Sequence, residues 1–146
     1  MRKELQRWGS FYFHPMKRTL LLLGTASMVL AIILGAFGAH GLKELISPER
    51  LSSFEVGVRY QIYHALGFLL LAALYKDEFQ KSFMWSARLM VLGTIFFSFS
   101  IYLLACRSIL GIEDMAGALG PITPIGGLML ISSWIILFTT FLKHDR

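Results

Sequence analysis

Four long runs of apolar residues, separated by short polar segments, dominate the pattern of this sequence. The runs cover about residues 19–39, 59–75, 83–105 and 124–142. An α-helix of about 20 residues rises about 30 Å, which matches the hydrocarbon core of a bilayer. The pattern therefore predicts an all-α fold, namely an integral membrane bundle of four transmembrane helices in one domain over residues 16–146.

Small residues recur at steps of three or four along the first run. They are Gly24, Ser27, Ala31, Gly35 and Gly38. Such a face lets another helix approach closely, so it is predicted to be a helix-packing surface. A cleaved signal peptide is the alternative, because basic residues precede the run and a small-x-small site follows its core. The run is longer than the roughly 7–15 apolar residues usual in signal peptides, which favours a retained helix.

A structured connector leads from the first run to the second. Ser47 followed by Pro48 is typical of a helix N-terminus. Apolar residues then recur at helical spacing, which predicts a short amphipathic helix that continues into the second span. Gly57 is a candidate kink in this helix, and Glu55 is placed to form an ion pair with Arg59.

Residues 1–15 form a basic and aromatic leader. Its aromatic side chains suit the headgroup region, so the leader could lie flat at the membrane interface. The other interpretation is an upstream extension of a chain whose natural start is Met16. Both interpretations fit the sequence.

Composition and charge agree with a membrane protein. Hydrophobic residues make up 55% of the 146 residues, and the mean hydropathy is +0.62. Soluble domains are about 45–50% apolar. The net charge of +5 comes from basic residues that flank the apolar runs, which fits lipid headgroups and argues against nucleic acid as a partner. Cys106 is the only cysteine, so the chain cannot form an intramolecular disulfide.

The basic residues also predict an orientation. With the N-terminus inside, ten Lys and Arg residues lie on the cytoplasmic side and four on the outer side. Positive residues favour the cytoplasmic side, so both termini are predicted to be cytoplasmic.

Polar residues from all four predicted helices are expected to gather near the outer interface. The predicted cluster contains His40, Arg59, Tyr60, Gln61, Tyr63, His64, Ser98, Ser100, Tyr102 and Thr123. Three glycines, Gly67, Gly126 and Gly127, are predicted to let helices approach one another beside it. The Thr123-Pro124 pair predicts the start of the fourth helix, with Thr123 as its cap.

The histidines of this cluster have two interpretations. His40 and His64 are candidate metal or haem ligands, but no cysteine or carboxylate stands at a spacing that completes a ligand set. We therefore predict no metal site and leave the cofactor unknown. His64 is expected to be neutral, hydrogen-bonded within the bundle and turned away from lipid. Its expected partner is the outer end of the first helix or the Thr123-Pro124 turn.

The aromatic residues Tyr60, Tyr63, Trp85 and Trp134 could line a quinone site, although interfacial tyrosine and tryptophan are the usual anchors of membrane helices. The sequence contains no nucleophile–base pair, phosphate loop or dinucleotide fingerprint, so no catalytic residue is predicted.

Four segments together resemble a known family. They are GAFGAHGLK at 35–43, YQIYHAL at 60–66, FSFSIY at 97–102 and ITPIGG at 122–127. In this order they resemble the family called domain of unknown function 423, small membrane proteins that include transmembrane protein 256. The resemblance implies a four-span protein, in bacteria usually of the inner membrane, and implies no activity. Phe99 departs from the small residue expected there, which predicts tighter packing at that point.

Three classes of function remain. We favour a structural or accessory subunit that docks, as a homo-oligomer or within a larger membrane complex, in the lipid bilayer. The alternatives are a carrier or channel for a small or amphiphilic solute, which would use the polar cluster, and a membrane enzyme or a quinone or haem binder. Four helices are few for a monomeric carrier, and no carboxylate stands in the middle of a span.

Overall fold

The computed structural model describes residues 14–144, which form helices and turns and contain no strand. Its long α-helices are Pro15–Phe37, Pro48–Leu74, Gln80–Thr94 and Ile122–His144. Shorter helical pieces are the π-helical turns Gly38–Leu42 and Ile95–Phe99, the α-helices Ser100–Ala105, Arg107–Leu110 and Ala116–Leu119, and the 3-10 turns Asp77–Phe79 and Glu113–Met115. The predicted leader lies outside the described residues, apart from His14 and Pro15.

Within the described residues, four helices are long and apolar enough to cross a membrane. They are Pro15–Leu42, Pro48–Leu74, Asp77–Ala105 and Glu113–Lys143, and they are called here the first to fourth spans. The predicted all-α bundle of four transmembrane helices is therefore confirmed. The end that carries His14, Tyr75 and Lys143 is called the terminal end, and the opposite end is called the loop end.

The spans form two pairs of neighbouring helices. The first span packs along the second and the third along the fourth, while the second and third spans join the two pairs. This arrangement leaves one groove between the first and third spans and another between the second and fourth.

The small residues of the first span face the second span. A Cβ atom at Gly24 would lie 2.7 Å from Leu69 Cδ2, and one at Gly38 would lie 3.2 Å from the Phe54 ring. Ala31, between them, is completely buried. The backbones of the two helices therefore approach more closely than larger side chains would permit.

The connector is shorter than the sequence predicts. A π-helical turn continues the first span to Leu42, so Gly41 does not end it. The Ser47 hydroxyl accepts a hydrogen bond from the Arg50 amide at 3.4 Å and caps the second span. The predicted amphipathic helix is the first part of that continuous helix. Gly57 allows the Tyr102 ring to pack against the second helix, because a Cβ there would lie 2.7 Å from Tyr102 Cε1.

Two predictions about the third and fourth spans are wrong. Thr123 does not cap the fourth span, because that helix begins at Ile122 and the Thr123 hydroxyl bonds the Ser100 hydroxyl at 2.7 Å. Phe99 does not tighten the packing, because its side chain is 56% exposed. The third span contacts neighbours on two sides, through Ser98 and Ser100, and Phe99 lies on the remaining face.

Candidate functional site

His64 lies near the middle of the second span. Beside it, the carbonyl of Ala65 is next to Gly24, and about two turns earlier Val58 is next to Gly35. His64 is thus level with the middle of the first span, Pro15–Leu42. The second helix begins at Pro48, 16 residues or about 24 Å before His64 at 1.5 Å per residue, so His64 lies well inside the helix rather than at its loop end, where it was expected.

Both ring nitrogens of His64 are hydrogen-bonded. Nδ1 lies 2.7 Å from the Tyr60 carbonyl oxygen, and the Trp134 indole nitrogen lies 3.3 Å from Nε2. An indole N–H is a donor only, so Nε2 accepts and the proton of a neutral imidazole resides on Nδ1, which donates to Tyr60. The ring is 5% exposed. His64 is bonded inside the bundle as expected, but its partner is the fourth span at Trp134 rather than the first span or the Thr123-Pro124 turn.

A groove of about 680 Å³ surrounds this pair and opens between the second and fourth spans. Its walls include the rings of Tyr60, Tyr63, Phe97 and Trp134. The Tyr60 ring lies 4.4 Å from that of Phe97 and 6.2 Å from the imidazole of His64, centroid to centroid. This set of rings is called here the aromatic groove. It presents flat apolar faces at the middle of the span.

Two tyrosine hydroxyls of the aromatic groove have no partner within the part of the chain that the structure describes. The side chains of Tyr60 and Tyr63 are 39% and 56% exposed, and neither hydroxyl takes part in a hydrogen bond with a described residue. A hydroxyl moved from water into hydrocarbon without a partner costs several kcal/mol, on the order of 4–8 by the alkane scale. The groove therefore offers two donors to a molecule outside the chain.

The other residues of the predicted cluster fall into separate groups. Gln61 joins three spans, since its Nε2 donates to the Ser27 carbonyl at 3.0 Å and its Oε1 accepts from the Tyr102 hydroxyl at 2.7 Å. The Ser100 hydroxyl bonds the Thr123 hydroxyl, and the buried Ser98 hydroxyl has no hydrogen-bond partner among the described residues. The last two residues stand apart, with His40 exposed in a π-helical turn and Arg59 3.9 Å from Glu55. The single polar cluster predicted from the sequence does not form.

The glycines predicted beside this cluster lie at helix contacts. A Cβ at Gly126 would clash with the Phe97 backbone nitrogen, so the third and fourth spans touch through their backbones there. At Gly127 the nearest atom would be on the Phe97 ring at 3.7 Å, and at Gly67 it would be Met90 Sδ at 3.0 Å.

Sequence reasoning missed a buried serine pair. The hydroxyls of Ser86 and Ser133 lie 2.9 Å apart, and each lies within hydrogen-bond distance of the other residue's carbonyl oxygen, at 3.2 and 2.8 Å, so the two hydroxyl protons can satisfy any two of these three contacts. Both residues are completely buried. The available signal was the presence of serines inside two apolar runs, because a hydroxyl in the bilayer needs a partner.

The chemistry of the aromatic groove is stacking and hydrogen bonding. Residues 14–144 contain no group of three or more His, Cys, Asp or Glu side chains that could hold a metal ion. Cys106 follows the third span, and burial raises the pKa of its thiol, which keeps it protonated and weakly nucleophilic at neutral pH.

Comparisons with a family model and with individual proteins point to the same family. The model of the family described as "Protein of unknown function (DUF423)" matches residues 34–127. UPF0382 membrane protein SH2409 of Staphylococcus haemolyticus is 36% identical over 126 residues, which cover 86% of this chain and 97% of that protein. UPF0382 membrane protein YwdK of Bacillus subtilis is 37% identical over 129 residues, covering 87% of this chain and 98% of that protein.

A more distant relative is UPF0382 inner membrane protein YgdD of Escherichia coli K12, which is 29% identical over 129 residues, covering 88% of this chain and 93% of that protein. No solved structure matches the chain. The matched segment includes the tyrosines and His64 of the aromatic groove, whereas Trp134 follows it. The chain is a membrane protein and belongs to the family of proteins of unknown function DUF423.

Proposed function

We propose that the protein is an accessory subunit that docks on a larger membrane complex through the aromatic groove. The observation that carries this proposal is the pair of tyrosine hydroxyls, Tyr60 and Tyr63, that lack an acceptor among the described residues. The polar groups between the spans are used differently, because Ser86 bonds Ser133 and Gln61 bonds Tyr102. These internal hydrogen bonds join the spans to one another, whereas the hydroxyls of Tyr60 and Tyr63 remain available as donors to an external partner.

A transmembrane helix of another protein fits this groove. Tyrosine and tryptophan are enriched at protein interfaces because each provides a large apolar face and one polar group. Serine, threonine or backbone carbonyl oxygens of a docked helix would accept from Tyr60 and Tyr63. His64 cannot serve as an additional donor, since its Nδ1–H is already held by the Tyr60 carbonyl.

A carrier for an amphiphilic solute is the second candidate. The groove volume of about 680 Å³ favours it, because pockets for small ligands span about 300–1,000 Å³. A solute would enter sideways from the bilayer, since the groove lies between two spans on the lipid-facing surface.

Site-specific photocrosslinking in native membranes separates the two. Benzoylphenylalanine at Phe138, which lines the groove and is 68% exposed, should crosslink to one polypeptide of a single mass. The matched control is Phe37, which is 51% exposed on the first span and should not give this product. A lipid-sized adduct alone at Phe138 would support the carrier, and identical products at both positions would contradict both functions.

We further propose that the protein resides in a bacterial inner membrane with both termini in the cytoplasm. The predicted span boundaries assign ten of the fourteen Lys and Arg residues to the cytoplasmic side, and the other four are Lys43, Arg50, Arg59 and Arg107. A reporter fused after Arg146 that is active only in the cytoplasm should be active. Activity of an export-dependent reporter at the same site would overturn the orientation.

A further inference from the structure

The second groove of the bundle lies between the first and third spans, towards the terminal end. It has a volume of about 800 Å³. Its polarity changes along its length. His14, Thr19 and Gln80 line the part nearest the terminal end, Arg88 lies further in, and leucines such as Leu23 and Leu92 line the deeper part. This change from polar to apolar lining matches a membrane lipid, which has a polar headgroup and apolar acyl chains.

Arg88 has an unusual position in this groove. It lies eight residues after Gln80, so about 12 Å along the helix axis at 1.5 Å per residue. Its side chain is exposed on the lipid-facing surface, and its guanidinium lies 5.3 Å from the centroid of the Trp85 ring. No carboxylate among the described residues pairs with it. A charge at this depth must reach the headgroup layer or bind an anion.

The acidic residues at the terminal end have other partners. Asp77 lies 3.7 Å from His14 Nε2, and Glu78 lies 3.5 Å from Lys76 Nζ. No carboxylate of the described residues lines the groove, so the Arg88 guanidinium gives it a positive charge. A guanidinium binds a phosphate through two parallel hydrogen bonds, which a lipid phosphate at the edge of the hydrocarbon layer can accept.

We propose that this groove holds one anionic phospholipid, with its phosphate on Arg88 and an acyl chain along Leu23 and Leu92. The ring of Trp85, beside Arg88 and 55% exposed, lies at the level of the headgroup and the ester bonds. A lipid with net negative charge is favoured over a zwitterionic one because the polar end of the groove lacks a free carboxylate among residues 14–144. This inference is independent of the accessory-subunit proposal, which concerns the opposite groove.

Native mass spectrometry of the full chain in mild detergent tests the proposal. The protein is titrated with phosphatidylglycerol and, separately, with phosphatidylcholine of the same acyl chains. One phosphatidylglycerol per protein should be retained at concentrations where phosphatidylcholine is lost. Arg88→Gln should weaken this retention roughly tenfold, since it removes a charge-assisted hydrogen bond.

Lys81→Gln is the matched control, because Lys81 is an exposed cation on the same helix that does not line the groove. It should retain phosphatidylglycerol like the original protein. If Arg88→Gln does not fold, Arg88→Lys keeps the charge without the planar fork and should show intermediate retention. Equal retention of the two lipids, or equal retention by the Arg88 and Lys81 variants, would overturn the proposal. So would a protein that retains no phosphatidylglycerol, whether it is a monomer or a dimer.

Discussion

The first and second spans are held together differently from the third and fourth. Between the first two, small residues allow close contact, with Gly24, Ala31 and Gly35 against the second span. The polar links there, among the described residues, are a bond from the Gln61 side chain to the Ser27 carbonyl and, at the helix ends, a contact of 3.4 Å between the Tyr75 hydroxyl and His14 Nε2. Between the last two, the Ser86–Ser133 pair forms a reciprocal set of hydrogen bonds.

The third and fourth spans add a backbone contact to these bonds. Gly93 and Gly126 face each other there, since a Cβ at Gly93 would lie 3.0 Å from the Gly126 carbonyl oxygen. Lipid is as apolar as the helix surfaces, so helices in a bilayer associate through van der Waals contact and hydrogen bonds. The two pairs of spans therefore depend to different degrees on van der Waals contact and on hydrogen bonds. Substitutions can separate these two contributions.

The largest effect is expected at Gly126. Gly126→Leu should abolish the folded protein, because any side chain there meets the Phe97 backbone, which cannot rotate away. Gly127→Leu is the control, since its Cβ would make an ordinary contact of 3.7 Å with the Phe97 ring. Size-exclusion chromatography in mild detergent measures the folded fraction. Similar yields from both variants would show that the backbone contact is not needed.

Gly35→Leu should be the next most damaging change. A Cβ at Gly35 lies 3.4 Å from Val58 Cγ1, so the remaining atoms of leucine would push the first and second spans apart. Leu34→Ala, at the neighbouring half-buried position, should cost much less because it removes atoms without a clash. Thermal unfolding in detergent compares the two variants. Equal losses would mean that the small-residue face does not hold this pair of spans.

The serine pair should have a moderate effect. Ser86→Ala and Ser133→Ala should each lower the free energy of unfolding by about 1 kcal/mol, within the roughly 0.6–1.7 kcal/mol found for hydrogen bonds between membrane helices. The double variant should lose about the sum of the two single losses, because in each single variant the remaining hydroxyl can still donate to the other residue's carbonyl oxygen. Unfolding in a graded denaturing detergent gives the three values. A loss in the double variant no larger than in a single variant would show that the hydroxyls bond mainly each other.

His64 lies between the two pairs of spans and should have the smallest effect. His64→Leu should cost about 1 kcal/mol, since it leaves the Trp134 indole N–H without its acceptor. His64→Gln can offer an oxygen to that N–H and should lose less. Thermal unfolding with and without a chelator measures both variants. A chelator effect on the original protein that both variants abolish would contradict this structural role and indicate a bound metal.

The first pair of spans could be anticipated from the sequence, whereas the second could not. Gly24, Ala31 and Gly35 repeat at helical spacing within one run, so a single helix reveals that face. Ser86 and Ser133 lie 47 positions apart, and their contact depends on how two helices are aligned. The position of His64 along its helix was misjudged for a related reason. In the sequence, Arg59 looks like the start of the second helix. In the structure that helix begins at Pro48, and Arg59 forms an ion pair with Glu55 inside it.

The sequence by itself determined the existence and order of the four spans and the face along which the first helix packs. These follow from the residues of each run, because a helix must satisfy its own backbone and match the bilayer. Only the tertiary structure decided which polar groups meet, such as His64 with Trp134. It also decided which apolar residues face inward, for Ile33 is 58% exposed while Leu20 is 1% exposed. Lipid and protein interior are equally apolar, so hydrophobicity alone does not distinguish the lipid-facing side of a helix from its buried side.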